Sequence, residues 1–195
     1  RKFDYAPRND FEAEYAHYPT QVVETLRNQV TLSALRGLPI RLGSLREGRK
    51  AVILVSEGFV GILPAQLSGP MAGMPGSANP VTDSRTEDRA RFQAEIDIQR
   101  ELRDIADTAN RNNTAIYSLD PRGLAVSEYD INEKVDQRLD LDTLNRSQDT
   151  LRVLATETDG RAIVNRNDLA AGLRQIVRDT SSYYLLGYNS SLTTP

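Results

Sequence analysis

GRKAVILVSEGF, residues 48–59, is the stretch on which the fold turns. Its centre, Ala51 to Val55, is a short apolar run bounded by Gly48 and Gly58. Such a run marks a strand buried on both faces, as in a parallel sheet whose faces are covered by helices. Upstream, Val23, Leu26, Val30, Ala34, Leu38, Leu42 and Leu45 recur at steps of three and four. That spacing predicts a helix over about 20–45 with this stripe turned to the core. Pro39 lies inside it, lacks a backbone donor and crowds the preceding turn, so it should kink or divide the helix. Residues 1–19, with Pro7 and Pro19, read as an irregular lead-in.

Downstream, residues 59–85 hold Gly61, Gly69, Gly73, Gly76, Pro64, Pro70, Pro75 and Pro80, the composition of a long loop. Loops of this length are uncommon in compact domains unless they are functional or disordered. A helix over 86–112 buries Phe92, Ile96, Ile98, Leu102, Ile105 and Ala109, and TAIYSL, residues 114–119, is a second strand. Residues 124–141 read as a charged surface excursion. A third helix spans 142–158 with Leu144, Leu151, Leu154 and Ala155 inward, and residues 161–164 form a third strand. Asp168 caps a last helix to about 179, striped by Leu169, Leu173, Ile176 and Val177. YYLLGY, residues 183–188, closes the chain as a strand.

Strands alternating with long helices predict a Rossmann-like, three-layer α/β/α domain with a mainly parallel sheet. Ligands of such sheets bind beyond the carboxyl ends of the strands. That rule singles out Ser56, Glu57, Asp120 and Asn165, and it places the 59–85 loop on the same edge. Asn165 reads more simply as a turn residue, and Asp159-Gly160 faces the opposite edge. Arg122 and Gly123 read as shaping the loop after the second strand.

Composition narrows the chemistry. The 195 residues fit one domain, with 39% hydrophobic and 26% charged residues, ordinary for a globular chain. No apolar run approaches the roughly 20 residues that cross a bilayer. A net charge of −3 gives no support for nucleic-acid binding. There is no Cys, so disulfides, thiolate metal sites and Cys nucleophiles are impossible. His17 is the sole His, which excludes a zinc site built on several of them and leaves a Ser-His-Asp triad no other base.

Four segments in order resemble the von Willebrand factor A domains. GRKAVILVSEGF is similar to the family strand that ends in Ser/Thr-Asp-Gly, and NNTAIYSLDPRGL, residues 112–124, to the strand after it. LATETDGRAIVNRNDLAAGLRQI, residues 154–176, resembles the following helix, strand and final helix. SSYYLLGYNS, residues 181–190, is similar to the ending of the acidobacterial von Willebrand A-related group. The resemblance covers roughly residues 20–190. It implies a doubly wound sheet, a protein-binding or adhesion role, and a bacterial protein that is secreted or placed in the cell envelope. It also implies a magnesium ion at the carboxyl edge, held by an Asp-x-Ser-x-Ser loop with a Thr and an Asp from later loops. A hard cation of this kind prefers carboxylate and hydroxyl oxygens.

The chain departs from that pattern. It holds no Asp-x-Ser-x-Ser, so the first strand of the pattern is expected upstream of a chain that reads as a piece of a longer protein. Glu57 stands where the family has Asp, and its carboxylate reaches about one methylene further. Ser56, Glu57, Asp120 and Thr31 are the candidate metal or partner ligands. Ile62, Leu63, Met71 and Met74 are the candidate partner-binding residues of the long loop, since apolar side chains in a Gly- and Pro-rich surface segment need cover and Met adapts to irregular surfaces. Two other readings remain open: an α/β hydrolase working with carboxylates and a metal, and a structural envelope domain whose metal site has decayed.

Overall fold

The computed structural model describes residues 20–45, 48–64 and 84–181. Met71, Met74 and the expected strand over 183–188 lie outside these residues. In chain order the elements are α1 (Thr20–Leu45), β1 (Lys50–Val55), α2 (Ser84–Arg111), β2 (Thr114–Leu119), a 3-10 turn (Ile131–Glu133), α3 (Gln137–Glu157), β3 (Ala162–Ile163) and α4 (Leu169–Ser181). The three strands form one parallel sheet in the order β1-β2-β3. Lys50 stands opposite Thr114 and Val55 opposite Leu119, and Leu119 in turn is opposite Ile163.

Every residue of β2 is buried, as its central place requires. The sheet takes cover on both sides. Ile116, Val52 and Leu54 pack with Leu32 and Leu35 of α1, Ile98, Leu102, Ile105 and Ala109 of α2, and Leu154 of α3. Ala115, Tyr117, Leu119 and Ile163 pack with Ile176 and Leu169 of α4. Burial pushes the Tyr117 hydroxyl above its ordinary pKa. The mixed α/β architecture and the parallel sheet expected from the sequence are present.

Several details differ. β1 alternates between half-buried and exposed, whereas its sequence reads as buried on both faces. Among the described residues β1 is an edge strand, and α4 packs on β2 and β3, so Ala51, Ile53 and Val55 stand open. The α1 stripe is also rotated: Leu32, Leu35 and Pro39 are buried, while Leu26, Val30, Leu38 and Leu45 face outward. Pro39 does not divide α1, which runs through it as one helix. In α2, Phe92 is exposed rather than buried, and in α4 the inward residues are Gly172 and Ile176 while Leu173 and Val177 are exposed. β3 has two residues instead of four.

The excursion ends five residues earlier than expected, at Asp136. Its carboxylate accepts from the backbone N–H of Arg138 (3.0 Å) and Leu139 (3.4 Å), which starts α3 there. Capping satisfies donors that have no partner inside the helix. Asp136→Ala is expected to lower stability by about 1 kcal/mol. The check is the urea midpoint at unchanged m-value; a shift under a third of that size would show the cap to be dispensable. Asp168 caps α4 as expected, accepting from the Ala171 N–H at 2.8 Å.

Candidate functional site at the carboxyl edge of the sheet

The carboxyl ends of β1 and β2 lead into Ser56-Glu57-Gly58 and Asp120-Pro121-Arg122. Backbone pairing carries both strands to this point: Ser56 N–H donates to Leu119 O (3.1 Å) and Asp120 N–H to Ile163 O (2.9 Å). Asp120 is buried, and its carboxylate is engaged within its own turn. The backbone N–H of Arg122 donates to Oδ1 (3.0 Å), the Arg122 Nε–H to Oδ1 and Oδ2 (2.9 and 3.2 Å), and Nη2 to Oδ2 (2.8 Å).

Arg122 reaches further than this turn. Its Nη2 also donates to the carbonyl of Glu57 (2.7 Å) and to Ser147 Oγ of α3 (3.3 Å), and its Nη1 to Glu128 Oε2. Side-chain exposure is 13% for Arg122, 0% for Asp120 and 2% for Glu128. Glu128 is itself positioned by Asp140, in the first turn of α3, whose Oδ1 accepts from the backbone N–H of Glu128 (2.8 Å) and Tyr129 (2.9 Å). Burial pulls the Arg122 pKa down, but the hydrogen bond to Asp120 and the fields of Glu128, Asp120 and Glu57 outweigh it and the net direction is up. Burial, with Glu128 beside it, pushes the Tyr129 hydroxyl strongly up, so it stays protonated.

The residues singled out in the sequence are distributed as follows. Ser56 Oγ accepts from the Gly58 N–H (3.1 Å), forming a small turn at the strand end. Glu57 lends its carbonyl to Arg122, and Asp120 lends its carboxylate. Thr31 is exposed on α1, whereas Gln21 and Asn28 of the same helix reach this edge. Asn28 Nδ2 donates to Val60 O (2.8 Å), Gln21 Nε2 to Gly61 O (3.0 Å), and Leu63 N–H to Gln21 Oε1 (2.6 Å). Leu63 is turned into the core, and Ile62 lies half-buried beside it. Asn165 is a turn residue with φ +54°, its Oδ1 held by Gln148 Nε2 (2.9 Å). Asp159 pairs with Arg49 (2.8 Å) ahead of β3, away from this site.

A divalent cation needs several oxygen ligands with free lone pairs. Here both oxygens of Asp120 and Oε2 of Glu128 already accept from one guanidinium. Among the described residues no group of three or more His, Cys, Asp or Glu converges on a common point. The residues present do not fit the magnesium site that the resemblance implies.

Beside this cluster lies an open cleft of about 340 Å³ between residues 59–64, α2 and the first turns of α3. Phe59, Ile62, Phe92 and Leu139 give it apolar walls, and Arg91, Glu95, Asp142 and Arg146 a charged rim. Phe92 is 66% exposed, unusual for a side chain of its size and apolarity. Arg146 bonds Asp142 (2.8 Å) and lies 3.9 Å from Glu95. Sequence reading missed Arg122, Glu128, Asp140 and Ser147 as site residues; the one local signal was an Arg two places after an Asp at a strand end. Among the described residues, no helix is long and apolar enough to cross a membrane. Comparison with protein families, with curated proteins and with solved structures finds no match to this chain.

Proposed function

We propose that the protein is a protein-binding module of the von Willebrand A-like, Rossmann-like type, which takes its partner at the carboxyl edge of the sheet. The observation that carries this reading is the cleft beside Glu57, with the exposed Phe92 on its wall. Its volume falls within the about 300–1,000 Å³ of ligand sites, and an exposed aromatic ringed by charged side chains suits an interface anchor. The two acidic and two basic residues of the rim balance, so the partner chemistry that fits is an extended protein segment without strong net charge. It would insert an apolar side chain between Phe92 and Ile62 and place polar groups over Arg91 and Asp142. The secreted or envelope location implied by the resemblance belongs to the same proposal.

The test places a photo-crosslinking residue at Phe92 and, as a control, at Val177 on the other face of the sheet. Cells of the source organism should yield a discrete protein adduct from position 92 only. Excess unmodified protein should compete that adduct away, and Phe92→Asp protein should compete at least about 30-fold less well, the loss of one interface anchor. Equal adducts from both positions, or equal competition by the variant, would reject the cleft as the binding site.

A further inference from the structure

We infer that Arg122 is a built-in cation that takes the place of a bound metal ion at the carboxyl edge, so that this edge is assembled without any divalent cation. The inference does not depend on what the cleft binds. Two buried carboxylates, Asp120 and Glu128, approach one point from different segments of the chain, and the guanidinium fills that point. A buried carboxylate left without a counter-charge is costly, and a cation placed between the two offsets that cost. Arg122 meets the need with a planar fork of five donors that satisfies the Asp120 carboxylate side-on, which a Lys could not.

The geometry gives Arg122 a second task. Its remaining N–H groups bond the Glu57 carbonyl, Glu128 and Ser147, so one side chain joins the end of β1, the end of β2, the excursion and α3. Those are the segments on which the cleft beside it rests: residues 59–64 follow Glu57 directly, and Leu139, Asp142 and Thr143 lie in the α3 turns preceding Ser147. A dissociable metal would make this surface depend on cation concentration. A covalently held guanidinium, charged at every pH at which the protein is folded, makes it permanent.

The experiment is thermal melting of the wild type, Arg122→Ala and Arg122→Lys, each in chelator, in millimolar Mg²⁺ or Mn²⁺, and in low-millimolar methylguanidinium. The wild-type Tm should be the same in all conditions. Arg122→Ala should melt roughly 10 °C lower, because it strands two buried carboxylates. Methylguanidinium should recover part of that loss while leaving the wild type unchanged, a readout that a merely space-filling role would not give. If Arg122→Ala fails to fold, Arg122→Lys, which keeps the charge but not the fork, should show a smaller fall. A wild-type Tm that rises with Mg²⁺ or Mn²⁺ and loses that rise in Asp120→Asn would overturn the inference. So would an Arg122→Ala protein that melts with the wild type, or one that methylguanidinium does not raise.

Discussion

Gly58→Ala is expected to cost about 4 kcal/mol, far more than the same change at Gly48. Both glycines have φ near +95°, +94° at Gly58 and +98° at Gly48, a conformation that a side chain disfavours. The strain alone is worth about 1–2 kcal/mol. At Gly48 an added Cβ would meet nothing within 4 Å, so strain is the whole effect. At Gly58 the added carbon would collide with the backbone carbonyl of Ser147 in α3, which cannot swing aside as a side-chain tip would. The loop after β1 would have to lift from α3. The Glu57 carbonyl would then leave Arg122, and the Phe59 N–H would leave Thr150 Oγ1, which it bonds at 3.1 Å. Urea unfolding of the two variants measures the difference directly. Equal losses in the two would mean that the loop does not rest on α3. Under the proposed function, a folded Gly58→Ala protein should also bind its partner less well, because Phe59 and Val60 line the cleft.

Local chemistry was well expressed in the sequence. The apolar runs at 51–55 and 114–119 announce β1 and β2 within one residue, because short apolar runs bounded by turn residues favour strands, although only β2 is covered on both faces. Leu144, Leu151, Leu154 and Ala155 were legible as the inner face of α3 because its outer face is polar. The candidate site was legible only as an edge. Topology alone directs attention to Ser56, Glu57 and Asp120. The group that organises them, Arg122, looks in sequence like one more charged loop residue. Its partners lie 65, 6 and 25 residues away, at Glu57, Glu128 and Ser147, and no spacing rule connects such positions. Asp140 is a similar case. In the sequence it falls within the charged excursion over 124–141, yet as the fourth helical residue of α3 it is buried and fixes the backbone that carries Glu128. A buried polar network depends on the converging chain, so the pattern within any one element is silent about it.

The phase of α1 is where sequence and structure differ most, and it carries the sharpest test of the fold. α1 is apolar on two sides. Leu32 and Leu35 lie on one, and Leu26 and Val30 on the other, so periodicity predicts a helix but does not choose the face. Packing chooses it: Leu35 sits in the cluster with Leu32, Ile98, Leu102 and Ile105, while Val30 is 69% exposed. Leu35→Asp should therefore cost about 5 kcal/mol, the loss of a buried Leu together with a carboxylate placed among apolar side chains. Val30→Asp carries the same charge on the same helix and should stay within about 0.5 kcal/mol of the wild type. Helix propensity cannot account for such a gap, since the introduced residue is the same at both sites and ordinary residues differ by no more than about 0.7 kcal/mol. Circular-dichroism melts of the two variants decide the matter. If Val30→Asp unfolds the protein and Leu35→Asp is tolerated, the stripe read from the sequence is the buried one. α1 must then dock with its other face, and Gln21 and Asn28, which hold residues 60–63 from the present face, must lose that role.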